Sequence, residues 1–227
     1  MFRISLTIIL FSLFQSLAFS QLNLHAGYNG AYFNPEITNQ ILADFDINNP
    51  EWDNPLGDIN FASGVMAGVN YRMNSFGIEF NWYNQSTNPK ASGIVNEKEL
   101  FQNLFIRNNS YGVAVQAYIS DAISIGVGGE YQSFAVKSEK TGLTQRFKVL
   151  REDAFAGRAF LDIAVAKGAI SAFHIRPYVQ LPFQEINVFA LEQELNPDSA
   201  NNANIDNYNE QLINFGISLY FSNGEQY

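Results

Sequence analysis

The sequence predicts an all-β fold, an eight-stranded antiparallel transmembrane up-and-down β-barrel with short turns at one end and long loops at the other. Two patterns point there. Apolar and polar residues alternate with period two in eight separate segments, the mark of strands with one oily face. The connections between those segments alternate between tight turns and stretches of fifteen residues or more, as in barrels that cross a bilayer. A third observation, an export signal at the N-terminus, supplies a route to a membrane outside the cytoplasm.

That signal has Arg3 as its charged head and "ISLTIILFSLF", Ile4 to Phe14, as its apolar core. Ala18 and Ser20 are the small residues before a cut that leaves Gln21 as the first mature residue. The apolar run falls short of the ~20 residues a helical membrane span needs. The expected organisation is therefore a signal peptide over 1–20, a barrel over 21–221 and a short tail over 222–227.

The strands follow in order. In "QLNLHAGYNGAYF" Leu22, Leu24, Ala26, Tyr28 and Tyr32 oppose Gln21, Asn23, His25 and Asn29. "INFASGVMAGVNYRM" sets Ile59, Phe61, Val65, Val69 and Tyr71 against Asn60, Gly64, Asn70 and Arg72, and "FGIEFNWYNQ" sets Phe76, Ile78, Phe80 and Trp82 against Glu79 and Asn81. "YGVAVQAYI" and "ISIGVGGEYQ" repeat the scheme, with Gln116 and Glu130 on their polar faces. "FAGRAFLDIAV" carries Arg158 and Asp162, and "FHIRPYVQLPF" carries His174 and Arg176, opposite their apolar faces. Pro177 removes a ladder donor from the latter. The last strand is "NFGISLYF", Asn214 to Phe221. Residues 34–58, 88–110, 138–153 and 184–210 read as loops.

The same alternation suits a soluble β-sandwich or lipocalin-like barrel with its apolar faces inward. Strand lengths of about 9–11 residues favour a bilayer. So do aromatic residues at both ends of the apolar faces: Tyr32, Phe61, Trp82, Tyr111, Tyr131 and Phe155 toward the loops, Tyr71, Phe76, Phe173 and Phe221 toward the turns.

Asn214, Gly216, Leu219 and Phe221 stand at the polar, glycine, hydrophobic and aromatic places of a motif that resembles the C-terminal β-signal of outer-membrane proteins. The chain as a whole resembles the small eight-stranded outer-membrane barrels of the OmpA/OmpX type. That resemblance implies an outer-membrane location, contact with outer-membrane lipids and recognition by the barrel-assembly machinery. The tail "SNGEQY" after the aromatic departs from the pattern.

An eight-stranded barrel is just wide enough inside for side chains to fill it. The polar faces are expected to pair Glu79 with Arg72, Glu130 with Arg158, and Asp162 with Arg176 beside His174. Balanced acids and bases point to a polar plug, against a charged ring that would mark an ion path. With no cysteine and only two histidines, thiolate or zinc chemistry is ruled out or poorly supplied, and a net charge of -9 argues against nucleic acid. No cofactor is expected. A lipid A-modifying enzyme would place a histidine beside a serine at the outer rim, whereas His25 and His174 fall in the turn-proximal half and face inward. The chain is accordingly read as non-enzymatic.

Loops 34–58 and 184–210 are rich in Asp and Glu with no Lys or Arg, while the middle two carry Lys90, Lys98, Arg107, Lys140, Arg146, Lys148 and Arg151. Closure of the last strand on the first makes the acidic loops neighbours. They invite a divalent-cation site, although "DFDINNPEWD" lacks calcium-loop spacing. Two loop segments predict helices: "NPEITNQILADF", with Asn34 as cap and Pro35 in the first turn, and "NEKELFQNLF". The expected role is structural or interaction-based, through extracellular loops that meet a protein partner. A narrow channel and an accessory subunit of a larger envelope complex are the alternatives. The exported protein should begin at Gln21, and N-terminal sequencing of the membrane-extracted form checks this: recovery of Met1 would refute the cleavage.

Overall fold

The computed structural model describes residues 22–73, 75–143, 145–168, 171–201 and 204–223. The expected signal peptide with its Ala18, Ser20 and Gln21, the turn at Asn74 and residues 224–227 lie outside them. The strands are β1 (Leu22–Phe33), β2 (Phe61–Met73), β3 (Phe76–Thr87), β4 (Lys90–Val95), β5 (Lys98–Tyr118), β6 (Ile123–Lys140), β7 (Phe147–Lys167), β8 (Ser171–Pro182), the two-residue β9 (Ile186–Asn187) and β10 (Asn209–Glu210), and β11 (Asn214–Asn223). Eight of them close an antiparallel barrel in the order β1, β2, β3, β5, β6, β7, β8, β11, with β11 returning to β1. The seam pairs Tyr28 with Leu219 and Tyr32 with Phe215. The β7–β8 ladder goes from Phe160–Tyr178 to Ile163–Ile175, missing the pairs opposite Pro177 and Arg176.

Around the lower barrel the outward side chains are apolar and exposed: Leu24, Val65, Ile78, Phe80, Val113, Val115, Ile125, Val127, Leu161, Ile217 and Leu219 among them. Their inward neighbours Asn29, Glu79, Asn81, Gln116, Glu130, Arg158, Asp162, Arg176 and Gln180 are buried. This is the reverse of a water-soluble protein, in which the oily face is the hidden one.

Two expected loops are strands instead. β5 and β7 each run for 21 residues, far past the aromatic level. Beyond Tyr111, Tyr131 and Phe155 the pattern changes sign. Leu104, Ile106, Phe134, Val136 and Leu150 now point inward and are buried, while Arg107, Lys137, Lys148 and Arg151 point outward. Only the span between Lys140 and Phe147 remains loop in the expected 138–153 stretch. "NEKELFQNLF", expected to be helical, is the turn of the β4–β5 hairpin and the start of β5, whose Lys98 pairs with Val95. Asn96 and Glu97 both have positive φ, 52° and 65°, the two-residue geometry that matches strand twist. Ile59 precedes β2 and is buried in the upper core, not on the lipid-type face. β11 continues through Asn223, so the tail starts later than 222.

The upper half is filled by helices. α1 (Glu36–Asn48) comes from the first loop, and α2 (Phe189–Leu195) and α3 (Pro197–Ala200) from the last. Ile41, Leu42 and Phe45 of α1 meet Leu191 and Leu195 of α2 in a core shared with Leu104, Ile106, Phe134 and Val136. The N-cap position of α1 is held by Pro35, with no side-chain cap from Asn34.

In the lower barrel a row of four residues sits at one level: Gly126 opposite Phe160, Phe160 opposite Tyr178, Tyr178 opposite Gly216. Each ring lies over the neighbouring strand's glycine, and a Cβ on Gly216 would fall 2.2 Å from the Tyr178 ring. Gly216→Ala should therefore destabilise the barrel by about 1–3 kcal/mol through overpacking. Gly129→Ala, where a Cβ meets nothing within 4 Å, should not. Urea unfolding of detergent-refolded protein checks both; equal midpoints would remove the packing reason for the glycine.

Candidate functional site

The lumen contains two decks of paired charges. In the lower deck Arg176, only 1% exposed, bridges two carboxylates. Its Nη2 donates to Glu79 Oε2 at 2.9 Å and its Nε to Asp162 Oδ2 at 2.8 Å, with further bonds from Nη1 to Glu79 and from Nη2 to Asp162. Nη2 also reaches the Tyr220 hydroxyl at 2.6 Å. Tyr220 in turn donates to Asp162, and Asn81 donates to Glu79. Burial of such charges is tolerable only with this degree of compensation.

In the upper deck Arg158 forms a two-pronged pair with Glu130. Its guanidinium lies between the Tyr83 ring at 4.0 Å and the Tyr178 ring at 3.9 Å. Gln180 donates to Glu130 and accepts from Asn214. Tyr178 donates to Asn29 at 2.8 Å and accepts from Gln85 at 2.8 Å.

The structure thus brings Glu130 to Arg158 and Asp162 to Arg176. It does not bring Glu79 to Arg72. Arg72 faces Gly77 across the β2–β3 turn and lies 3.9 Å from Asp121 and 4.0 Å from the Tyr118 ring centroid. Glu79 instead reaches across the barrel to Arg176, a contact between residues 97 apart in sequence. Neighbouring-strand reasoning finds pairs along the wall but misses those across the diameter.

His174 was also incompletely legible. Its Nδ1 lies 2.8 Å from Asp162 Oδ1 and its Nε2 lies 3.0 Å from Ser222 Oγ. This is the Asp–His–Ser order of a hydrolase, placed by β7, β8 and β11. The surroundings are not those of one. Asp162 is held by Arg176 and Tyr220, and the imidazole is stacked on the Tyr220 ring at 4.7 Å. Ser222 sits in a strand paired on both sides, which commits the adjacent backbone N–H groups that an oxyanion would need. The cavity there is about 20 Å³, room for a single water. His25, Nε2 at 2.8 Å from Asn81 Oδ1, completes this polar floor. Among the described residues no group of three or more His, Asp or Glu is placed to hold a metal ion.

Of the β-signal residues, Asn214 and Gly216 face the interior while Leu219 and Phe221 face out, Phe221 against Phe173 at 5.0 Å between ring centroids. Above the decks, the acidic loops meet through Glu210. Its carboxylate accepts from the Ile37 N–H at 2.8 Å, from the Thr38 N–H at 3.3 Å and from the Thr38 hydroxyl, so the last loop caps the first helix of the other. Burial pushes the Glu210 carboxyl above its ordinary value, partly offset by the Thr38 and Ile37 hydrogen bonds. Asp46 likewise accepts from the Leu56 N–H at 2.8 Å and the Gly57 N–H at 3.1 Å. These acids serve as backbone caps.

The fold and the filled lumen define a small, closed, eight-stranded antiparallel barrel, similar in fold to small outer-membrane barrel proteins. No family model matches the sequence, and no curated protein does. Among solved structures, the chain is similar to Ail, the attachment invasion locus protein of Yersinia pestis, at 10% identity over 89% of this chain and 95% of that one, with a TM-score of 0.46. It is similar to Neisserial surface protein A at 6% identity, 91% and 97% coverage and a TM-score of 0.46. OprG of Pseudomonas aeruginosa follows at 8%, 89%, 94% and 0.38.

The two decks predict a specific asymmetry. Arg158→Met strands the buried Glu130 and should cost about 3–5 kcal/mol, whereas Glu130→Leu together with Arg158→Met should recover much of that loss. Denaturant unfolding of the refolded barrel measures it; a double variant as unstable as the single would show that the pair is not the unit.

Proposed function

We propose that this protein is an exported outer-membrane barrel that neither conducts nor catalyses, and that acts through the surface formed by its extended strands and helical cap. The observation that carries this reading is the interior. Arg176, Glu79, Arg158, Glu130 and Asp162 are all buried and mutually bonded, and a packed apolar cap lies directly above them. Each acid is held by a fixed guanidinium, so the lumen presents no ring of a single sign to draw an ion through.

The apolar outer band supports residence in a bilayer, since it exposes to its surroundings what a soluble barrel hides. In this reading the short turns face the periplasm, the long-loop end faces outward, and the last strand with Asn214, Gly216, Leu219 and Phe221 is what the barrel-assembly machinery engages. A protein partner would meet the cap formed by residues 34–58 and 184–210.

In planar bilayers the intact barrel should show no steady conductance. Steady current with an ion selectivity that changes in Glu130→Gln or Arg158→Gln would replace this reading with a channel.

A further inference from the structure

Above the aromatic level the charge of this barrel is sorted by side. Eight of its 13 Lys and Arg stand there, and all fall between Lys90 and Arg151, on β4 to β7 and their connections. Loops 34–58 and 184–210 hold twelve of its 22 Asp and Glu and no Lys or Arg. The barrel order runs β1, β2, β3, β5, β6, β7, β8, β11, so the β5–β6 junction lies four strands away from the β11–β1 seam. Arg107 on β5, Lys137 on β6, and Lys148 and Arg151 on β7 are exposed. On the seam side Glu36, Asp58 and Glu185 are exposed, each three residues from the upper end of β1, β2 or β8. Asp206 is exposed beside β9, where the Asn187 side chain donates to the Ile205 carbonyl.

Neither side is satisfied from within the molecule. Among the described residues no carboxylate forms an ion pair with Arg107, Lys137 or Lys148, and no cation forms one with Glu36, Asp58, Glu185 or Asp206. Lys137 and Lys148 stand directly opposite one another in the ladder, where like charges repel. Glu97, Glu99, Glu139, Glu152 and Asp153 share the cationic side, but Glu139 already holds Arg146 at 2.9 Å and Asp153 lies 3.9 Å from Arg151. The heights agree as well. Arg107 and Arg151 stand four residues past Tyr111 and Phe155, Glu36 four past Tyr32, and Asp58 three before Phe61.

A second copy in the same membrane has the same end up and floats at the same depth. Half a turn about the membrane normal would set like charges together, so a two-fold pair is opposed. Translation sets the cations of one copy against the acids of the next. We infer that copies of this protein associate side by side, head to tail, with the wall of Arg107, Lys137, Lys148 and Arg151 against the neighbour's Glu36, Asp58, Glu185 and Asp206. Because the two faces lie on nearly opposite sides, the contact does not close on itself and builds short rows. One exposed ion pair contributes little. The bilayer has already removed tumbling and fixed the height, so several weak pairs suffice. The inference rests on the outer-membrane reading above and names the partner that its surface meets.

The test uses residues 21–227 refolded into phosphatidylcholine vesicles, which supply no anionic lipid. The chain has no cysteine, so one added after Tyr227 carries a donor or an acceptor dye. Intact barrels should show energy transfer above that of chance encounters at the same protein density, and should lose it as salt is raised. Lys137→Glu, Lys148→Glu and Arg151→Glu combined should weaken association roughly tenfold, and so should Asp58→Lys, Glu185→Lys and Asp206→Lys combined. An equal mixture of the two variants should recover it, since each supplies the face that the other has lost; recovery also shows that both are folded. Insertion of the intact barrel without transfer, transfer indifferent to salt, or no recovery in the mixture would overturn the inference. Clusters that stop at two copies at every protein density would mean a two-fold pair and overturn it too. Failure of the intact barrel to insert would instead overturn the outer-membrane reading.

Discussion

The guanidinium of Arg176 bridging Glu79 and Asp162 is the contact around which the lower barrel is arranged. It ties β8 to β3 on the far wall and to β7 beside it. Eight strands enclose a space too narrow for bulk water and too wide to be left empty. Long charged side chains are the residues that can span that diameter from a wall whose outer face must stay apolar. The cost of burying them is offset by the number of bonds each makes. Tyr220, His174, Asn81 and His25 are then placed by what Glu79 and Asp162 still have to offer.

The lower half was legible because it obeys a single rule. With apolar residues out and polar residues in, each strand announces its own faces, and Glu130 opposite Arg158 follows from strands that adjoin. The contact of Glu79 with Arg176 obeys no such rule, because opposite sides of a barrel are separated by a sequence distance that carries no periodic signal. The Ser222 partner of His174 was hidden for a related reason. It lies at the end of a strand expected to stop at Phe221, and the turn-proximal ends of β8 and β11 meet only when the register is known.

The upper half was misread for a physical reason. Above Tyr111 and Tyr131 the alternation continues unbroken, but the apolar residues change faces. A search for strands with oily outsides therefore loses them where Leu104, Ile106, Phe134 and Val136 turn inward toward α1 and α2. In "NEKELFQNLF" the inward Leu104 and the half-buried Leu100, Phe101 and Phe105 mimic helical spacing. The pairing of Lys98 with Val95 and the Asn96–Glu97 turn decide for strand. The helix that was foreseen, α1, is real, but its cap comes from Glu210 in a distant loop, a partner invisible to any local capping rule.

The reversal of faces also acts as a depth gauge. A barrel with one pattern throughout can slide along the membrane normal until its aromatic residues halt it, and each step costs little. Here the wall is oil-facing below a boundary and water-facing above it. Sinking by one strand repeat would draw the outward cations toward hydrocarbon, and rising by the same amount would bring Val113 and Val127 into water. Both displacements are opposed, so the boundary fixes the height of the surface that the helical cap presents. A bilayer of different thickness would have to adapt to this protein at its turn end, since the upper end cannot yield.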